Sequence, residues 1–205
     1  MMATMEPEAR QLFGTLPVQD AQTTARLHAR LAAAADREGI LDVAYRTVDT
    51  PLGTLLLAAT EQGLVRIAYP SQGHDAALAQ LAELVSPRIL SAPGRLDGVT
   101  RQLDEYFAHR RQAFDLPLDL RLAKGFRRGV LAHLLDIPYG ITESYAQVAA
   151  ATGSPHAVRA VGTACATNPV PIVVPCHRVV RSDGSFGGYA GGPDAKRALL
   201  TLEAA

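Results

Sequence analysis

Cys176 and His177 stand side by side in the run Pro175-Cys176-His177-Arg178-Val179-Val180, behind the apolar stretch Pro171-Ile172-Val173-Val174. A thiolate is the strongest side-chain nucleophile, and a nearby histidine is one of the few groups that can generate it near neutral pH. The pair therefore admits covalent thiol chemistry. It equally admits an inert buried cysteine next to a core histidine. The only other cysteine is Cys165. Two thiols do not make a disulfide scaffold, so a reducing cytoplasm is the expected setting. No CxxC or HxxxH spacing occurs, and no structural zinc site is expected.

The 205 residues can hold one large domain or two small ones. With 48% hydrophobic and 20% charged residues, the composition is that of an ordinary water-soluble domain. No apolar run approaches the roughly 20 residues that a membrane span needs. Glu6, Glu8 and Asp20, with no cationic start ahead of an apolar core, argue against a secretory signal. The zero net charge hides an asymmetry: residues 1–120 carry 11 Lys+Arg against 15 Asp+Glu, and residues 121–205 carry 9 against 5. A polyanion would prefer the second segment, though so small an excess supports only weak, salt-sensitive phosphate contact.

The elements that must position Cys176 and His177 follow from periodicity. Residues 18–38 predict an alanine-rich helix with Leu27 and Leu31 on one face; residues 1–17 show no clear pattern. From Leu41 a period of two takes over. Strands are expected at Val43–Thr47, Thr54–Thr60 and Leu64–Tyr69, joined by turns at Pro51-Leu52-Gly53 and Gln62-Gly63. Helices are expected at Asp75–Val85 and Leu96–His109, with a loop over Ser86–Gly94 and an edge strand or linker at Phe114–Leu120, which contains Pro117. This is a small α+β domain ending near residue 120, after an extension over residues 1–38.

The remainder reads as helical. Gly125–Ile137 is a helix that stops at Pro138-Tyr139-Gly140. Ser144 caps a helix over Tyr145–Thr152, ended by Gly153. Ser154-Pro155 reads as an N-cap with proline at the first helical position, opening a helix to about Ala166. The two together read as a helix-turn-helix. The second is rich in small residues (Ala157, Ala160, Gly162, Thr163, Ala164, Ala166), which suits either tight helix packing or close approach to a DNA groove. Its only Lys or Arg, Arg159, is expected in the second turn. An isolated arginine is most often a solvated surface group; beside DNA it could reach between bases.

Taken in order, Pro138-Tyr139-Gly140, Ser144-Tyr145, Arg159-Ala160-Val161-Gly162, Asn168-Pro169-Val170-Pro171-Ile172, the Pro175–Val180 hexamer and Gly187-Gly188-Tyr189-Ala190-Gly191-Gly192 closely resemble the O6-alkylguanine-DNA alkyltransferases, or methylated-DNA–protein-cysteine methyltransferases. The resemblance is strong over residues 121–205 and weaker, by order of elements, before them. It implies a ribonuclease H-like domain over 39–120 and a winged-helix-like domain with its helix-turn-helix over 121–205. It also implies the activity: O6-alkylguanine, and O4-alkylthymine, is flipped from duplex DNA and its alkyl group moves irreversibly to Cys176. His177 would take the thiol proton through a water, with Glu203 orienting the imidazole. Tyr145 would assist the departing guanine at N3. Tyr189, Ala190 and Pro171 would line the base pocket, and the Val179 carbonyl would read the exocyclic amine. Asn168 would tie the helix-turn-helix to the active-site loop. Arg159 would fill the gap left by the flipped base from the minor groove, with Ser144, Ala160, Gly162 and Ser182 on the DNA face. The expected partner is double-stranded DNA, bound by a monomer in solution with no cofactor. Cys165 reads as a packing residue.

Some departures accompany the resemblance. Ala190 stands where the family often has serine, Ile141-Thr142-Glu143 replaces a more usual Glu-Thr pair, and zinc ligands found in some animal members have no counterpart. The competing readings are a lesion sensor, which would lack Cys176, a helix-turn-helix regulator, and a thiol hydrolase, for which nothing marks an oxyanion hole.

Overall fold

The structure, a computed structural model, describes residues 20–204. Helix α1 (Ala21–Arg37) opens at Asp20, whose carboxylate accepts the Gln22 N–H. Only its far half is packed. Ala35 joins Leu41 and Ala44, whereas Leu27 and Leu31 stay 54% exposed. The expected apolar face is thus uncovered by any described residue, and positions 18 and 19 of the expected helix, with residues 1–17, lie outside the described residues.

Strands β1 (Val43–Thr50), β2 (Gly53–Thr60) and β3 (Gly63–Ala68) form the expected meander, paired antiparallel. β2 sits between its neighbours and is buried from Leu55 to Thr60, so it reads as a continuous apolar run rather than an alternation. Helix α2 (His74–Leu84) covers one sheet face through Ala77 and Leu81. Within the expected 86–94 loop, Ile89–Ser91 forms a fourth strand, β4, parallel to β1 and giving the order β3-β2-β1-β4. Its Ile89-Leu90 pair is too short a signal between two prolines to betray a strand. The expected 96–109 helix is α3 (Asp97–Phe107), preceded by a 3-10 turn (Pro93–Leu96) that begins within the expected loop. Phe114–Leu120 runs beside β3 with one parallel bridge, Leu64 to Leu118. It is held by the Leu64 N–H to Pro117 (2.8 Å) and the Asp119 N–H to Leu64 (2.9 Å).

Helix α4 (Phe126–Leu134) and the two-residue strand β5 (Glu143–Ser144) lead to α5 (Tyr145–Ala151). Ser144 closes a capping box on α5: its Oγ accepts the Gln147 N–H (3.2 Å), and Gln147 Oε1 accepts the Ser144 N–H (2.7 Å). The next helix, α6, spans Val158–Ala166 and does not begin at Pro155. A Ser-Pro pair starts a turn as readily as a helix. Here the Ser154 carbonyl accepts the Ala157 N–H at 2.8 Å, and the first four-residue helical bond is Val161 to Ala157. Arg159 therefore lies in the first turn of α6, not the second. A 3-10 turn (Cys176–Arg178), strand β6 (Val179–Val180, parallel to β5) and α7 (Gly192–Glu203) complete the chain.

The sheet and helical parts share one apolar cluster. It runs from Leu55, Leu57 and Ile67 through Leu103 and Tyr106 to Val130, Val161, Val174, Cys176 and Leu199. The site sits on this shared core.

Candidate active site

Cys176 and His177 lie in the 3-10 turn, where the backbone rotates enough per residue that adjacent side chains no longer point to opposite sides as in a strand. The segment before them is tightly specified. Asn168 Oδ1 accepts the Val170 N–H (3.0 Å), and its Nδ2 donates to the Val174 carbonyl (2.8 Å) and to Cys176 Sγ (3.1 Å). Ile172 has φ of +75°, a left-handed conformation that costs a β-branched residue about 1–3 kcal/mol and persists only where its surroundings impose it. Here Asn168 and the bridge between Pro171 and Val174 impose it.

Both side chains are buried, Cys176 at 1% and His177 at 0% exposure. Burial pushes the Cys176 thiol up to about 11, against the Asn168 hydrogen bond and the Lys196 charge, which pull it down. Burial likewise lowers His177, overriding the upward pull of Glu203, so the neutral imidazole is favoured. Its Nε2 lies 2.9 Å from Glu203 Oε1. Glu203 is held ionised well below the usual carboxylate range, chiefly by its bonds to His177 and Arg178 against the cost of burial. An ionised carboxylate only accepts, so Nε2 carries the proton and Nδ1 keeps a lone pair. That Nδ1 is buried and bonds to no described residue.

Glu203 stands in the last position of α7, where the helix dipole disfavours a carboxylate. Five donors offset this. Arg178 grips it through Nε and Nη2 (both 2.8 Å), Tyr106 donates its hydroxyl (2.7 Å), and the Gly140 N–H (3.2 Å) and His177 complete the set. Arg178 also donates to the Ile137 carbonyl (2.5 Å).

Lys196 is fully buried, at 0% exposure, and pairs with no carboxylate among the described residues. Its Nζ donates to the Val179 carbonyl (2.5 Å) and lies 6.0 Å from the centre of the Tyr145 ring. Tyr145 is half-buried and pushed up to about 12 by burial and by both cysteine sulfurs, so it remains a proton donor at neutral pH. Gly187 is what lets that ring in: a Cβ there would overlap the Tyr145 hydroxyl. The Tyr189 hydroxyl pairs with that of Tyr69 (2.9 Å), and its ring meets the His177 imidazole edge-on at 6.3 Å. Tyr69 in turn requires Gly191, where a Cβ would come within 2.6 Å of its ring.

The structure thus gathers Cys176, His177, Glu203, Asn168, Tyr145, Tyr189 and Val179 at one place, with Pro171 buried behind them and Ala190 half-buried in the loop before α7. Arg159, Ala160 and Ser182 are exposed, and Gly162 faces open space. Ser144 spends its side chain on the α5 cap. Cys165 is buried in the shared core. Sequence reasoning missed Arg178, Lys196, Tyr69 and Tyr106. A signal existed for Lys196: it shares the buried face of α7 with Ala195, Leu199 and Glu203, so two charges stand at apolar-face positions.

A buried thiol between a hydrogen-bond donor, a lone cation and a histidine–glutamate pair, at the seam of a sheet unit and a helical unit, defines a cysteine-centred α+β protein. The ribonuclease-like domain of the 6-O-methylguanine DNA methyltransferases matches residues 43–120, and their DNA binding domain matches residues 125–205. The methylated-DNA–protein-cysteine methyltransferase of Mycolicibacterium paratuberculosis is 42% identical over 161 residues, covering 78% of this chain and 92% of that protein. The crystal structure of Mycobacterium tuberculosis O6-methylguanine methyltransferase superposes with a TM-score of 0.70 at 41% identity, covering 79% of this chain and 93% of that one. The M. tuberculosis protein in complex with DNA superposes at 0.67 and 41% identity, covering 78% and 92%. The chain belongs to the methylated-DNA–protein-cysteine methyltransferase family. None of the described helices is long and apolar enough to cross a membrane.

Proposed function

We propose that this protein repairs DNA by taking the alkyl group of O6-alkylguanine, and of O4-alkylthymine, onto Cys176, once per molecule and without a cofactor. The observation that carries the reading is the free lone pair on His177 Nδ1, fixed by the Nε2–Glu203 bond on a member of this family. The thiol proton passes through a water to Nδ1. The sulfur attacks the alkyl carbon, the carbon–oxygen bond breaks as the carbon–sulfur bond forms, and the base leaves with the electron pair. Asn168 and Lys196 pull toward the thiolate against the burial that keeps the resting sulfur a thiol. Tyr145, still protonated, donates to N3 of the departing guanine. The Val179 carbonyl retains a second lone pair beside the one Lys196 uses, and accepts from the exocyclic amine. The thioether product is stable, which makes the reaction stoichiometric.

The DNA contact runs through the outer face of α6. Ala160, Gly162 and Thr163 leave that face low, and Arg159 stands on it with no carboxylate partner among the described residues. Such a face fits the minor groove, where contact is largely blind to sequence, with Arg159 entering the stack vacated by the flipped base. The expected species is a monomer on duplex DNA.

The test is intact mass after incubation with duplex DNA containing one O6-methylguanine. A gain of a single methyl that maps to Cys176 and is lost in Cys176→Ala supports the reading. DNA binding with no gain in mass would overturn it in favour of a sensor or regulator, and repeated turnover on an ester in favour of a hydrolase.

A further inference from the structure

A cleft of about 320 Å³, lined by Asn168 but not by Cys176, separates β3 and α2 of the sheet unit from α4 and the end of α6. Two arginines line it, Arg66 from β3 and Arg127 from α4, and no Asp or Glu among the described residues does. Neither forms an ion pair among the described residues, and the Nε of each is buried without a partner. Arg127 spends one Nη2 bond on the Thr167 carbonyl (3.2 Å). Burial disfavours the charge on Arg66. Gln72 uses its Oε1 to accept the Tyr69 N–H (3.0 Å), so its amide can still donate into the cleft.

The cleft therefore holds a surplus of donors and two like charges, one from each unit. Buried donors without acceptors are rare in folded proteins, and two guanidinium groups facing one space repel. A tetrahedral oxyanion resolves both problems, since its oxygens match the forked geometry of guanidinium. We infer that the cleft between Arg66 and Arg127 is a binding site for a phosphate-class oxyanion, which fastens the sheet unit to the helical unit beside the Asn168-Pro169 turn. This site does not depend on the chemistry at Cys176. The oxyanion is either free in solution or a backbone phosphate of DNA running past the end of α6.

Two measurements on the full chain decide between these. The first is thermal unfolding in inorganic phosphate against chloride at matched ionic strength, for the parent, Arg66→Gln and Arg127→Gln. A phosphate-specific rise of about 3 °C in the parent, absent in both variants, is expected for a free oxyanion. Folding of the variants is checked in chloride, where Arg66→Gln leaves Tm unchanged or higher and Arg127→Gln, which also gives up the bond to the Thr167 carbonyl, lowers it only slightly. The second is affinity for undamaged duplex DNA as a function of salt. If the anion is a DNA phosphate, each variant binds more weakly at every sequence and loses about one unit of salt slope. A phosphate effect equal in all three proteins, or no phosphate effect together with unchanged DNA binding, would overturn the site.

Discussion

Cys176 illustrates how one side chain is pulled in opposite directions. Its burial favours the thiol, and only Asn168 Nδ2 and Lys196 work toward the thiolate from the surrounding side chains. Lys196 has a carbonyl for a partner and no counter-ion among the described residues, so the sulfur is the group its charge serves. The titratable and charged groups around it among the described residues are few: Cys176 and His177 from the 3-10 turn, Cys165 from α6, Tyr145 from α5 and Arg181 after β6. Lys196→Met keeps the volume and removes the charge. Cys176 then ionises less readily, so transfer at neutral pH slows by about tenfold and the deficit closes as pH rises. A single-turnover pH profile that merely drops in parallel at every pH would show that Lys196 acts only through packing. Glu203 gives a second prediction at this scale. Its folded pKa is depressed, so its contribution to stability is complete above the usual carboxylate range and is lost as pH falls toward the folded value. Glu203→Gln leaves Arg178 buried without its counter-charge and costs about 3–5 kcal/mol at pH 7. Denaturant titrations at pH 7 and pH 4 should show the gap between parent and variant narrowing in acid.

Among the elements, the turn from Asn168 to Cys176 matters most. It carries a left-handed isoleucine and has no regular secondary structure before the 3-10 turn. One amide side chain holds both of its ends. Asn168→Ala leaves the Val170 N–H unpaired in the core, strips the Val174 carbonyl of one of its two donors (the Cys176 N–H at 2.8 Å remains) and lets Ile172 relax. A loss of about 2–4 kcal/mol in unfolding free energy is expected, together with slower alkyl transfer by the protein that remains folded. Normal transfer kinetics at full stability would mean that the turn holds itself. The same logic accounts for the late start of α6. The turn from Ser154 to Ala157 takes the residues that would have opened the helix, so Arg159 is placed in its first turn rather than its second.

At the scale of the whole molecule, the sheet unit is part of the site although none of its residues carries the chemistry proposed. The Tyr106 hydroxyl reaches across to Glu203, and that of Tyr69 to Tyr189; the Ile67 N–H bonds the Pro169 carbonyl at 2.8 Å. Tyr106 is fully buried, and the neighbouring Glu203 charge and burial both keep its hydroxyl protonated. Tyr106→Phe removes one of the five donors to Glu203 and should cost about 1–2 kcal/mol. It should also slow transfer, because the carboxylate that orients His177 is held less firmly. An unchanged transfer rate with lowered stability would confine Tyr106 to a structural role.

The sequence by itself determined the meander, the order of helices and the identity of the reactive segment. Period-two and period-3.6 patterns report local backbone preference, and the Pro-Cys-His-Arg run with its flanking motifs is contiguous along the chain. It misplaced the start of α6, because a serine–proline pair serves a turn and a helix cap equally well. It missed β4, whose pairing partner β1 lies some 45 positions upstream. Only the tertiary structure decided the proton arrangement: Glu203 is 26 positions from His177 and Tyr106 is 97 from Glu203. Arg178 fixes the charge of Glu203, that charge fixes the imidazole proton on Nε2, and Nδ1 is left free. His177, adjacent to Cys176 along the chain, presents an unpartnered Nδ1 because buried charges interact through space, strongly and over distances that no local pattern encodes.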